Sequence, residues 1–214
     1  MAMAKKKTET PEIIIPAIKI KEFDLKIIGD SPLISHAWSE KAKLMMLQKQ
    51  QKKASAGKEI RRPMVEYANS LYWLSEKPDI DNMDDEAIWQ ATQEGTFGFP
   101  VLAFKAAAID AGYQQNAIEK KTTARGAFHL EGEFATLEGK PSLREDMCRV
   151  GMGSADLRYR AEFKTWSTVL HIRYNESSMS IEQICNLFNL GGFACGVGDW
   201  RPAKDGVYGC FHIE

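Results

Sequence analysis

The sequence predicts an α+β fold, and three observations carry that prediction. Ile18, Ile20, Phe23, Leu25 and Ile27 recur at strand periodicity with one slip. The stretch VLAFKAAAIDAGYQQ from Val101 is alanine-rich and entered by a proline, the signature of a helix that ends near Gly112. Thr168 to Tyr174 alternates apolar and polar residues, as a half-buried strand does. With 214 residues and 44% hydrophobic content the chain can bury one sizeable core. The expected organisation is a charged, disordered leader over 1–12 and a single domain over 13–214.

Taken in order, the opening strand ends at the turn signal Gly29-Asp30-Ser31-Pro32. Between Ser39 and Arg62 the composition shifts to eight Lys or Arg against Glu40 and Glu59 alone. That segment begins with helix-forming residues, but it has no apolar face after Leu47 and is expected to be a flexible basic insertion over 39–62. It is either a solvated loop or a flap that closes on phosphates. Pro63 to Ser75 predicts a short helix or strand burying Tyr67, Leu71, Tyr72 and Trp73. The acidic run from Glu76 to Glu94 fits a helix start with an Asp or Asn cap and Glu86 in the first turn. Lys105 projects from the alanine-rich helix.

After that helix, the alternation around Glu138-Gly139-Lys140-Pro141 predicts a hairpin at about 126–146. Arg149, Arg158, Arg160, Lys164 and Arg173 then interleave with Tyr159, Phe163, Trp166 and Tyr174. Such a ribbon either grips phosphates and stacks bases or is a half-exposed strand with its aromatics in the core. Near the end, Ser180 to Leu190 reads as a helix with Ser180 as its N-cap, terminated by Gly191 and Gly192. Six glycines fall between Gly191 and Gly209, with Trp200, Arg201, Pro202 and Lys204 among them. Glycine at that density implies positive φ angles or a close approach by another backbone. Val207 to Ile213 is expected to close the unit as a strand.

A formal charge of −1 excludes a uniformly basic nucleic-acid coat but leaves room for a basic face opposed by an acidic one. Four cysteines without C-x-x-C spacing, no secretory leader and no apolar run of membrane-spanning length predict a reduced, cytoplasmic protein without a membrane partner. Nucleotide, metalloprotease and serine-hydrolase fingerprints are absent from the sequence, and no cofactor is expected. His171 and His212 are expected in paired or neighbouring strands. His36 alone falls in a loop that can line a cleft, which makes it the weak candidate for a catalytic base.

The order of an N-terminal strand running into IIGDSPLI, a helical middle, a ribbon of arginines and aromatics, then helix, GGFACGVGDWRPAKDGVYGCF and a last strand resembles the RAMP superfamily. The likeness is nearest to the backbone subunits of CRISPR effector complexes, with a phage or mobile-element relative as the alternative setting. In that family a glycine-rich loop joins the last helix and last strand of a ferredoxin-like, RRM-type fold; here Gly191, Gly192, Gly196, Gly198, Gly206 and Gly209 occupy it. The resemblance implies an antiparallel sheet with flanking helices, long loop or hairpin insertions, and head-to-tail assembly along single-stranded nucleic acid, alone or with other complex subunits.

The expected function is therefore binding of RNA or single-stranded DNA without catalysis. The alternatives are a metal-independent ribonuclease of the same superfamily, which needs His36 or another base beside bound RNA, and a structural or interaction protein. The candidate contacts are Lys41, Lys43, Lys49, Lys52, Lys53, Lys58, Arg61 and Arg62 of the basic segment, then Lys105. Arg149, Arg158, Arg160, Lys164 and Trp166 come from the ribbon, and Gly196, Gly198, Trp200, Arg201 and Lys204 from the glycine loop. Arg201 and the loop amides are expected to form an anion nest.

Overall fold

The computed structural model describes residues 17–38, 40–51, 60–150 and 154–214. The expected opening strand is β1 (Ile20–Gly29), in which Leu25 and Ile27 are buried and the alternate Asp24 and Lys26 are exposed. The turn at Asp30 leads to β2 (Leu33–Ser35), then α1 (Glu40–Gln50), α2 (Pro63–Asn69), β3 (Tyr72–Trp73) and a 3-10 turn at Ile80–Asn82. The acidic run begins α3 (Asp85–Glu94), capped by Asp84, whose carboxylate accepts from Ala87 N at 2.8 Å. After β4 (Phe97–Pro100) comes the alanine-rich α4 (Val101–Gln114), then α5 (Lys121–Ala127), β5 (Phe128–Leu130), β6 (Phe134–Glu138), β7 (Pro141–Val150), β8 (Ser154–Phe163), β9 (Ser167–Asn175), α6 (Ile181–Ala194) and β10 (Phe211–Ile213). Ser180 and Gln183 form a reciprocal capping box at the start of α6.

Pairing explains how these pieces assemble. The main sheet runs β10-β1-β9-β6-β4-β3, with β5 also paired to β9. β5 and β6 together act as one broken strand along β9, since Leu130 faces Ile172 while Leu137 faces Thr168. The order β10-β1-β9-β5/β6, all antiparallel, with α4 leading into β5 and α6 leading into β10, is that of a split β-α-β-β-α-β unit. The fold is therefore α+β, an antiparallel sheet with flanking helices. A second sheet, β2-β8-β7, stands beside it. Ser70 ties α2 to that second sheet: its hydroxyl receives the Ala161 amide at 2.7 Å, and its carbonyl receives the Ser35 hydroxyl at 2.7 Å.

Two expectations need correction. The turn at Glu138–Pro141 closes no hairpin, because β6 pairs with β4 and β9 whereas β7 pairs with β8. Gly139, at φ 129°, passes the chain from one sheet to the other, and the hairpin is β7–β8 instead. Nor do Gly191 and Gly192 end α6, which runs through both to Ala194. They let α6 approach its neighbours: a Cβ on Gly191 would lie 2.7 Å from Ala108 N on α4, and one on Gly192 would lie 1.8 Å from the carbonyl oxygen of Phe211 on β10. The helix ends at Ala194 with Cys195 as its C-cap, and Gly196, at φ 63°, is the left-handed residue that follows.

Candidate nucleic-acid interface

The loop between α6 and β10 is built as a rigid plug. Val197 N donates to Gly209 O and Gly209 N to Pro32 O, while Asp199 N donates to Ile34 O and Tyr208 N to Trp200 O. Gly196, Gly198 and Gly209 take positive φ, and a Cβ on Gly198 would stand 2.6 Å from Ile34 O. The glycines thus serve close backbone packing against β2. Because most amides between Gly196 and Gly209 already donate to backbone carbonyls, the expected anion nest does not form across the loop, and the loop's side chains carry the chemistry.

Those side chains meet around Asp199. His36 Nδ1 lies 3.0 Å and an Arg160 guanidinium nitrogen 2.9 Å from Asp199 Oδ2, which is buried between them in ion-pair contact without a well-aligned hydrogen bond. Burial pushes the Asp199 carboxyl up, but His36 and the charges of Arg160 and Arg201 outweigh it and hold the group below its ordinary value. Ionised Asp199 therefore contributes stability at and above the ordinary carboxylate range, and that contribution fades as pH falls through the depressed folded-state value. In thermal melts between about pH 5 and pH 2 we expect the wild-type midpoint to fall more steeply than that of Asp199→Asn; equal slopes would remove this role.

Around that centre, a cavity of ≈ 360 Å³ is lined by Cys148, Arg160, Asp199, Trp200, Arg201 and Lys204. Trp200 is 40% exposed, so it does not anchor the loop in the core. Arg201 donates to Gly198 O at 2.9 Å, its one hydrogen bond among the described residues, and Lys204 is exposed on the 3-10 turn Pro202–Lys204. Arg160 is largely covered, with its side chain 12% exposed, whereas Lys204 is exposed. Beside this groove, sharing Asp199 and Arg201, opens a second cleft of ≈ 290 Å³ against α4, and His36 lines it as expected of a cleft loop.

The structure gathers Arg160, Trp200, Arg201 and Lys204 with the backbone of Gly198 and sends most other candidates elsewhere. Trp166 is buried, donates its indole N–H to Ser31 O at 2.9 Å and packs on Phe104 and Phe211. Phe163 and Tyr174 are likewise core, so the basic-aromatic ribbon offers no row of stacking rings. The Lys105 ammonium is committed to Arg125 O and Phe128 O at 2.9 and 2.6 Å, and burial pushes its pKa down. Arg61 pairs with Glu66 and Asp156, Arg158 with Asp156, and Arg62 donates to the carbonyls of Asp81 and Met83. These three brace the fold. Lys164 is exposed beyond β8 and Lys43 is exposed on α1. Lys41 and Lys49 belong to α1 and Arg149 to β7. Lys52, Lys53 and Lys58 lie outside the described residues, as does the leader.

Asp199 was missed in the sequence because it carries the wrong sign for a phosphate site. So was the second tie between loop and hairpin: Arg144 binds Asp146 and Glu162, donates to Tyr208 Oη at 3.2 Å and sits 4.5 Å over the Tyr208 ring. The open face of the main sheet is unlike the base-stacking face of an RRM. It presents Glu22, Asp24, Lys26, Val169, His171 and Arg173, ion-paired through His171–Asp24 and Arg173–Glu22, with no Phe, Tyr or Trp among them. His171 and His212 do flank the same strand, on β9 and β10, and pair with Asp24 and Asp30.

No family model matches the chain, and no curated protein matches its sequence. Among solved structures it is similar to Cmr6 from Pyrococcus furiosus, at 13% identity over 92% of this chain and 100% of that one, with a TM-score of 0.37. A similarity that distant assigns no residue, and the site stands on its own geometry. Among the described residues no helix is long and apolar enough to cross a membrane.

Proposed function

We propose that the chain is a non-catalytic subunit that binds single-stranded nucleic acid through the groove at its glycine-rich loop and assembles head to tail along the strand, by itself or with other subunits. The observation that carries this reading is the convergence of Arg160, Arg201 and Lys204 beside the exposed indole of Trp200 in one cavity. Cations on a rigid loop neutralise a phosphate backbone, and one open aromatic face stacks a base without reading its identity. The sequence-level resemblance to RAMP backbone subunits points the same way. Assembly is supported by β7, which pairs with β8 on one side only among the described residues and carries Met147, 72% exposed, opposite exposed Leu157. An edge strand with apolar side chains is a template for a second copy, and a contact that does not close extends into a filament.

The log of the affinity for a fluorescently labelled, mixed-sequence single-stranded oligonucleotide should fall linearly with log salt, at about 0.7 per phosphate neutralised, and two or three contacts give a slope of roughly −1.4 to −2. Fluorescence anisotropy across a salt series reads this directly. A flat profile, or sedimentation of a monomer alone with and without oligonucleotide, counts against the proposal.

A second reading, metal-independent ribonuclease, is favoured by one observation: His36 and Asp199 stand 3.0 Å apart in the cleft beside Arg160 and Arg201. A general base oriented by a carboxylate next to cations is a workable arrangement for phosphodiester cleavage. End-labelled RNA incubated with wild type and His36→Ala separates the two, since only the ribonuclease shortens RNA in a His36-dependent way.

A further inference from the structure

The cleft beside the groove differs from it in kind. Its walls are Tyr72, Phe99 and the small side chains Ala103 and Ala106 of α4, and its volume of ≈ 290 Å³ sits at the small end of ligand sites. Such walls suit a flat, apolar-faced ring. Asp110 and Gln114, one helical turn apart on α4, reach into the same space. One Asp110 oxygen accepts from Lys121 at 2.8 Å, leaving the other as an acceptor, and the Gln114 amide makes no hydrogen bond among the described residues. Asp110 and Asp199 offset the charges of Arg201 and Lys121 here, so the cleft has no excess of positive charge to draw in an anion, whereas a neutral heterocycle with an amino group donates to Asp110 and exchanges hydrogen bonds with Gln114. The cleft and the cationic groove meet at Asp199 and Arg201.

We propose that this cleft takes up one nucleobase bearing an exocyclic amine, turned out of a strand whose phosphates lie in the neighbouring groove. The proposal rests on the nucleic-acid reading of the groove and adds a base preference to it. Moving a base out of the stack costs least in a single strand, which suits a protein of this kind. Adenine, guanine and cytosine qualify; uracil and thymine, which lack the amine, are taken up less well. Trp200 stacking is available to every base, and comparing two pyrimidines, cytosine and uracil, keeps its contribution close to equal on both sides.

The test compares oligo(C) with oligo(U) of equal length, in ribose and deoxyribose forms, by anisotropy near neutral pH. Wild type should bind oligo(C) about fivefold more tightly than oligo(U), the scale of one modest pair of base-edge hydrogen bonds. Ala106→Phe, at an exposed position on α4, fills the cleft and should bring the ratio to about one while leaving the salt slope unchanged. Gln114→Ala, a truncation at an exposed position, should lower the ratio in the same direction. A ratio of one in wild type, or the same ratio in wild type and Ala106→Phe, overturns the proposal. Should no strand bind at any salt, the groove reading falls by itself and cytidine titrated against the chain decides the cleft. Binding at about millimolar strength that is lost in Ala106→Phe upholds it, and no binding overturns it.

Discussion

Gly192→Ala is expected to unfold the chain or cost about 3 kcal/mol or more in chemical denaturation, at the upper end of what overpacking a core does. The added Cβ would stand 1.8 Å from the carbonyl oxygen of Phe211 and 2.8 Å from the Phe211 ring, so the obstacle is backbone and cannot swing aside. Relief requires α6 and β10 to separate. That movement would pull Phe211, which is fully buried against Phe104 and Trp166, out of the aromatic centre of the core. The gain in helix propensity from replacing glycine, about 1 kcal/mol, offsets only part of this. Gly126→Ala is the control: it lies in α5 with nothing within 4 Å of an added Cβ, and it should leave stability unchanged or raise it slightly. A Gly192→Ala protein as stable as wild type would mean that α6 does not cross β10 at contact distance.

The two glycines at 191 and 192 also show where a sequence stops being informative. Periodic apolar patterns located β1, β9 and α6, alanine content and an entering proline located α4, and local chemistry located the cap at Ser180 and an Asp or Asn cap before α3, because each depends on residues a few positions apart. Whether a glycine ends a helix or lets another backbone approach depends on what crosses it, and Ala108 and Phe211 are brought there by the fold. The same limit explains Trp166. In a run of alternating arginines and aromatics, one change of strand face exchanges the core side for the open side, and periodicity alone does not say which face is covered. Here the covered face took Phe163, Trp166 and Tyr174, leaving Trp200 as the exposed ring at the groove.

Of the site itself, the loop cations were legible and their restraint was not. Arg201 and Lys204 stood out because they sit among glycines. Asp199, held by His36 from the loop after β2 and by Arg160 from β8, becomes visible only once three distant segments meet. The carboxylate takes up charge that would otherwise be offered to a ligand, so the groove's free positive charge is mainly that of Arg201 and Lys204. Arg160 acts through Asp199 to hold the loop in place.

It follows that replacing Arg201 and Lys204 together by alanine should weaken oligonucleotide binding about a hundredfold or more, two charge-assisted contacts at about 1.5–3 kcal/mol each. The slope of log affinity against log salt should flatten by about 1.4, the share of two phosphates on a single strand. Arg201 also donates to Gly198 O, so its loss loosens the loop by one hydrogen bond; a thermal melt of the double variant, expected within a few degrees of wild type, separates that effect from binding. Lys105→Ala provides the opposite signature. Its ammonium is committed to Arg125 O and Phe128 O, so its removal should lower stability and leave affinity and salt slope where they were. If the double variant binds at wild-type strength while remaining folded, the glycine loop is a structural plug only, and the strand must run over other cations such as exposed Lys164 and Lys43.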